Sequence, residues 1–520
     1  MMRGGGKIML YITVFICGLS TMGVELSASR LLALFFGTSL YVWTNIIGII
    51  MVSLSVGYFI GVKIADKHPR PVLFYTFTLI AGLLIGLIPF LSSLILPLAT
   101  EALSTLSYND FLLSFIGSLL LFAFPTIFLG AVIPFAVRLN SENVDKMGKT
   151  SGNIYALSTA GSILGVYLPA LALIPTLGTR LTINSFSILL ITVSSISLLF
   201  TLPKNILKGL FSMFIISFVF LSIYSIPKSI SSEKNVVYEK ESPYCYLQVQ
   251  NTGEVKYLLA NQGRGAWSKA VKGRFFTGKY WDYFLVATAF TNQTKDVLIL
   301  GLAAGTTAKS YAAAFPNVSI DGIEIDPLVM EIGKKYFNMT TPNLNPIVAD
   351  GRLFVKTTRN RYDIIVVDVY RDLTIPYHMV TVEFFRETRR ILNHGGVLSV
   401  NVATNFRTRI VELVGNTLLQ VYPKVYTVEI PNSFNHILFA TRNNLRLSDL
   451  KTQILHQRDT IPFSSFCLKD DELTLKTVFT EAAMIIEEFQ QTNNVFFTDD
   501  LAPVEQIIGV NAFFPKNSLR

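Results

Sequence analysis

"DVLILGLAAGTTAKSYAAAFPNVSIDGIEIDP" (residues 296–327) is the stretch that decides the fold. A short apolar run, a turn of small residues, an alanine-rich helical stretch and a second apolar run ending in Glu324 make one strand–helix–strand unit. In a doubly wound sheet the ligand sits beyond the carboxyl ends of the strands, and an acid ending the second strand accepts both ribose hydroxyls. Glu324 is the candidate for that role, while Gly301 and Gly305 let the backbone approach the ligand. The turn departs from G-x-G-x-x-G and no basic residue suited to a pyrophosphate follows it, which favours a nucleoside without phosphates.

Working outward, strands are expected at 296–300, 318–324, 345–349, 362–368, 396–402, 423–430 and 435–441. Helices are expected near 306–315, 326–337, 380–393 and 405–420. Strands and helices taking turns predict a parallel sheet covered on both faces. "IVADGR" (347–352) then puts Asp350 at the end of the third strand, where a carboxylate accepts from an adenine amino group, and "YDIIVVDVYRD" (362–372) runs into Asp368. Each acid alone reads as a helix cap. Three of them at one sheet edge argue for a joint site. Just upstream, "EKESPYCYLQVQNTGEVKYLLANQ" (239–262) alternates and turns at Asn251-Thr252-Gly253, the pattern of a small antiparallel hairpin.

The other end of the 520-residue chain is different. Only 15% of the chain is charged, and residues 1–230 hold 19 of its 79 Asp, Glu, Lys and Arg. Crossing a hydrocarbon core about 30 Å thick takes roughly 20 apolar residues, and such runs recur near 8–30, 39–62, 72–98, 111–137, 153–175, 182–202 and 207–227, giving about seven spans. Lys and Arg fall in alternate loops, which places the N-terminus in the cytoplasm. An odd count then puts the second half outside, so the stretch 72–104 is expected to hide an additional short segment. Glu25 lies inside the first span with Arg30 beyond it, a candidate interfacial pair or an intramembrane functional acid, and Gly152, Gly161 and Gly165 suit close helix packing. The basic excess of +7 sits in this half against +2 in the rest, which removes the argument for nucleic acid. Cys17, Cys245 and Cys467 lack any paired spacing, so neither zinc nor a disulfide framework is indicated.

Residues 239–442 resemble the spermidine synthase family of polyamine aminopropyltransferases, within the S-adenosylmethionine methyltransferase-like superfamily. The carriers are "SPYCYLQV" (242–249), the glycine turn, "GIEIDP" (322–327), "ADGR" (349–352), "YDIIVVDVY" (362–370) and "IPYHMVTVEFFRETRRILNHGGVLSVNV" (375–402). "GVELSASRLLALFFGTSLYVW" (23–43) and "FTDDLAPVE" (497–505) are similar to members fused to a multi-span N-terminus. The resemblance implies a Rossmann-like fold, with Glu324 on the ribose, Asp350 and Gly351 at the adenine, and Asp368 as the catalytic carboxylate. It further implies Tyr244, Tyr280, Tyr370, Asp372 and His378 on the substrate side. Three departures stand out: Ala303 and Ala304 where the turn carries an acid, Arg371 where a second Asp is usual, and Tyr280-Trp281-Asp282 without its His.

The expected domains are a membrane part (1–230), a small β-rich and helical entry subdomain (235–292), a Rossmann-like adenosyl-binding catalytic domain (293–445) and a helical extension (446–520). The expected protein is a multi-pass membrane aminopropyltransferase using decarboxylated S-adenosylmethionine, or S-adenosylmethionine itself, and a small-molecule amine. No metal or nucleic acid takes part, the lipid bilayer is a partner, the catalytic domain faces the cytoplasm, and homo-oligomerisation is left open. A methyltransferase is the alternative, or a transporter or scaffold with a nucleoside-sensing domain.

Overall fold

The computed structural model describes residues 4–37, 39–103, 110–141, 147–201, 235–261, 265–371, 374–403, 409–504 and 507. The chain divides into two units, Met1–Ser232 and Glu233–Arg520.

The first unit is helical: α1 (Gly4–Phe36), α2 (Leu40–Lys67), α3 (Pro71–Leu103), α4 (Asp110–Asn140), α5 (Met147–Leu168) and α6 (Thr179–Leu199). Six helices among the described residues are long and apolar enough to cross a membrane. The seventh expected span, 207–227, lies outside the described residues. Among the described residues the extra segment expected within 72–104 is not found, because α3 runs unbroken through Pro89 and Pro97; proline is tolerated in spanning helices, where neighbouring helices and Ser or Thr side chains satisfy the freed backbone groups. α5 gives way to a π-helical turn, Pro169–Leu173, and a last helical turn, Ile174–Leu177. Pro169 and Pro175 each lack an N–H for the α ladder.

α1 and α5 approach through small residues: a Cβ at Gly161 would stand 2.1 Å from the Phe15 carbonyl oxygen, and one at Gly165 2.2 Å from that of Leu19. Gly152 meets nothing within 4 Å, so the packing role expected of it is not there. Glu25 is buried, and its Oε2 has no hydrogen-bond partner among the described residues.

The second unit opens with an antiparallel four-stranded sheet, β1 (Val236–Glu241), β2 (Tyr246–Asn251), β3 (Val255–Ala260) and β4 (Gly265–Val271). The expected hairpin is its centre. It turns where the Thr252 N–H donates to the Val255 carbonyl at 2.9 Å and Gly253 takes a φ of +91°.

The larger sheet holds β5 (Asp296–Leu300), β6 (Ser319–Glu324), β7 (Leu344–Val348), β8 (Tyr362–Val367), β9 (Leu392–Ala403), β10 (Lys424–Glu429), β11 (Asn435–Thr441) and β12 (Glu487–Glu488). Their order is β7-β6-β5-β8-β9-β11-β10-β12. Helices α7 (Thr306–Ala314), α8 (Pro327–Tyr336), α9 (Gly351–Thr357), α10 (Val382–Ile391) and α11 (Arg409–Leu419) lie between strands, followed by α12 (Leu447–Thr460) and α13 (Lys469–Ile485). Val297, Ile299, Ile364 and Val366 pack on one face, and Leu298, Leu300, Ile365 and Val367 on the other, so these strands are apolar throughout.

The sheet is mixed, which corrects the purely parallel expectation: β11 is antiparallel to β9 and to β10. Five residues join β10 to β11, too few for a crossover of a dozen or more. Strand order reverses beside β5, whose neighbours β6 and β8 carry Glu324 and lead into Asp368. This is the switch point at which doubly wound sheets bind ligands.

Candidate active site

The turn after β5 is held by unusual backbone. Gly301 has φ +86°, and a Cβ there would stand 2.3 Å from the Asp368 carbonyl oxygen, so only glycine lets β5 leave the sheet beside the end of β8. Gly305 is also left-handed, and its missing Cβ leaves room for Met339, a packing reason separate from ligand approach. Ala303 sits at φ +49°, a conformation that costs energy for a residue with a Cβ. Its N–H donates to Glu324 Oε2 at 3.0 Å, and the Asp326 N–H donates to Oε1 at 3.1 Å. Burial pushes the Glu324 carboxyl up to about 7, against the pull of these N–H groups.

Asp350 accepts from the Leu353 N–H at 2.8 Å and caps α9, whose first residue is Gly351. The next residue, Arg352, is nearly buried and makes five hydrogen bonds: two to Glu387 at 3.0 Å, two to Asp499 at 2.7 Å and one to the His378 carbonyl at 3.0 Å. Thr381 Oγ1 also donates to Asp499, at 2.7 Å. Burial lowers the His378 imidazole, with Asp350 first among the charges opposing it, and the His378 carbonyl is bonded to Arg352, two residues after Asp350.

Asp368 is held by side chains. The Asn401 amide, on β9, donates to Oδ1 at 2.8 Å, and the Tyr280 hydroxyl lies close by and favours the charged form. Enclosure raises the carboxyl to about 6, and both donors oppose the rise. Asn435 in turn donates to Asn401 Oδ1 at 3.0 Å, while Tyr370 donates to the Asn401 carbonyl at 3.0 Å and accepts from the Ala403 N–H at 2.7 Å. Asn401 was missed from the sequence, although an amide inside the otherwise apolar "VLSVNVA" (397–403) signals a buried polar partner. Asp282 was noted only as a departure. It accepts from the N–H groups of Thr277 and Gly278 at 2.7 Å and from Ser310 Oγ at 3.0 Å, so it fixes the turn that delivers Tyr280. Burial pushes its carboxyl up to about 6.

Beside Asp368 opens a cavity of about 1260 Å³ whose walls include Tyr280, Tyr370, Asn401, Trp267 and the β10–β11 connection. Tyr244 lies in the β1–β2 turn, 40% exposed, and does not line it. Asp372 lies outside the described residues. Among the described residues no group of three His, Cys, Asp or Glu could hold a metal ion. The arrangement sets Glu324 and Asp368 on either side of β5 with Asp350 at the end of β7, and the cavity is walled by Asn401 and Tyr280, the two side chains beside Asp368.

Residues 285–446 match the spermine/spermidine synthase domain family. The chain is 32% identical over 289 residues to the "Probable polyamine aminopropyl transferase" of Bifidobacterium longum, a match covering 54% of this chain and 64% of that protein. Similarity to "Polyamine aminopropyltransferase 2" of Aquifex aeolicus is lower, 23%, but covers 87% of this chain and 92% of that one, reaching into the helical half. The crystal structure of spermidine synthase from Thermotoga maritima shares 19% identity, with a TM-score of 0.38 over 47% of this chain and 84% of that one.

Proposed function

Because residues 285–446 match the spermine/spermidine synthase domain family, we propose that this chain is an aminopropyltransferase, moving an aminopropyl group from decarboxylated S-adenosylmethionine to an amine. The observation that carries the reading is Asp368. It is a raised carboxylate at the switch point, and Asn401 and Tyr280, the two side chains beside it, line the adjoining cavity. In this reading Glu324 holds the ribose, Gly301 and Gly305 shape the turn beneath the donor, and Asp350 and Gly351 meet the adenine. Tyr280 and Tyr370 line the acceptor side, with His378 nearer the adenine. Tyr244 and Asp372 stay as outer candidates.

An alkylamine with a pKa near 10.4 is protonated at neutral pH and has no lone pair to offer. Asp368 takes one proton and orients the nitrogen. The nitrogen then attacks the carbon next to the sulfonium. The N–C bond forms as the C–S bond breaks, the bonding pair returns to sulfur, and the donor leaves as neutral methylthioadenosine. Placement supplies most of the acceleration, since the leaving group comes already activated. A methyltransferase remains as the second reading, on one observation: with Ala303 and Ala304 in the turn, no acid there meets a donor ammonium.

Mass spectrometry of products from the purified chain, offered both adenosyl donors and a panel of amines, tests this. An amine heavier by an aminopropyl unit supports the proposal, and a methylated amine replaces it with the second reading. Methylthioadenosine binding without any product overturns both in favour of a sensor.

The six described spans return the chain at Leu199 to the side of its N-terminus. With Lys63, Lys67, Arg70, Lys146 and Lys149 on that side, the helical half is a multi-pass membrane unit whose N-terminus is cytoplasmic. The catalytic domain then faces the cytoplasm, where adenosyl donors are made, provided that residues 202–234 add no net crossing. Fluorescence of a reporter fused after Arg520 supports this orientation, and activity of a periplasmic phosphatase fused there rejects it.

A further inference from the structure

The chamber beside Asp368 is chemically odd for an amine site. A protonated amine can only donate hydrogen bonds, and so can Lys and the indole of Trp. Yet Lys269, Lys279 and Trp267 all line the chamber near Tyr280. The Trp267 Nε1–H is buried without a partner among the described residues, and so is the Thr427 hydroxyl across the chamber. Lys269 donates to the Thr277 carbonyl at 3.3 Å, which leaves two of its three hydrogens for other acceptors. Its ammonium is depressed by burial first and by the neighbouring charge of Lys279 second, with Asp282 opposing. Two like charges on one wall attract an anion rather than a second cation. Two acids, Glu429 and Glu487, also line the chamber and, like Lys279, are exposed, so Lys269 and the Trp267 indole are the half-buried donors on its wall. Its volume of about 1260 Å³ also exceeds the range of about 300–1,000 Å³ that encloses drug-sized ligands.

We propose that the acceptor is an amine that also bears a carboxylate, an amino-acid-type amine rather than an unbranched diamine, with Lys269, Lys279 and the Trp267 indole gripping its anionic oxygens while Asp368 receives its amino group. The inference rests on the transferase reading of the same site. Glu429 and Glu487 are then free to meet a second ammonium of a diamino acid.

The test compares an unbranched α,ω-diamine with the α-carboxylated diamine of equal chain length. Calorimetry on the full-length chain saturated with methylthioadenosine gives affinity without requiring turnover, and kcat/KM with the aminopropyl donor gives transfer. The carboxylated amine should bind at least about tenfold more tightly, the loss expected for one charge-assisted hydrogen bond. Lys279→Met, at an exposed position, and Lys269→Met should each shrink that ratio, and Trp267→Phe should shrink it while keeping the ring. A parent that prefers the diamine, binds neither compound, or keeps its ratio in all three variants overturns the inference. Preferential binding of the carboxylated amine with no transfer product overturns the transferase reading instead and leaves the ligand class standing.

Discussion

Glu324 and Asp368 stand one strand to either side of β5, yet they are held differently. Both oxygens of Glu324 accept backbone N–H groups, from Ala303 and Asp326. Asp368 leans on two side chains, Asn401 and Tyr280, brought from more than 30 and nearly 90 residues away. A carboxylate fixed by backbone is part of the scaffold, and its loss disturbs the turn that it pins. A carboxylate fixed by side chains has a basicity that those side chains tune, which suits a group that must take up and release a proton.

The largest effect expected from this contrast is on turnover. Asp368→Asn keeps the shape and removes the basicity, so kcat should fall roughly 100-fold or more while methylthioadenosine affinity changes little. If calorimetry found nucleoside binding lost in that variant, the two acids would share one role and the contrast would fail. Next is Glu324→Ala, which removes a charge-assisted contact worth about 1.5–3 kcal/mol to the nucleoside. It also frees the strained Ala303, so weaker methylthioadenosine binding should come with a lower melting temperature. Unchanged affinity would remove Glu324 from the ribose.

A smaller effect sharpens the Asp368 side. Its carboxyl is raised to about 6, so kcat/KM should rise with pH through about 6 and level off above it. Asn401→Ala and Tyr280→Phe each delete a bond to the charged form, worth about 0.5–1.5 kcal/mol, and should move that acid limb upward by up to about one pH unit. A limb that stays in place in both variants would show that these donors do not tune the acid. The smallest effect concerns stability. The folded-state pKa of Glu324 is raised to about 7, so the stability linked to this group is complete below its ordinary range near 4.5 and is lost as pH rises through 7. Between pH 5.5 and 7.5 the ligand-free parent should lose more thermal stability than Glu324→Gln, and parallel slopes would contradict the shift.

The glycine turn and the strand-end acids were legible because they are local. Gly301, Gly305 and Glu324 come from one unbroken strand–helix–strand stretch whose periodicity changes on schedule, and Asp350 and Asp368 each end an apolar run that announces itself. The chamber was not legible. Its walls come from β4, the turn before Tyr280, β9, the β10–β11 connection and the segment after α13, and no spacing rule joins segments so far apart in the chain. Direction was also hidden: apolar runs mark β9, β10 and β11 as strands, but only the five-residue link between the last two shows that one of them must run backwards. Arg352 lay in plain view inside "ADGR", yet nothing near it foretold Asp499.

That ion cluster has a consequence for synthesis. Arg352 is made 35 residues before Glu387 and 147 before Asp499. At about 5–20 residues per second, the second wait lasts roughly 7–30 s. Throughout that interval the helical half has long been made, the strands from β8 to β12 are still emerging, and the guanidinium lacks the Asp499 carboxylate, and at first that of Glu387 as well. The ribosome therefore delivers a sheet before it delivers the finished surroundings of Arg352, and the segment around Asp499 works as the clasp that closes last.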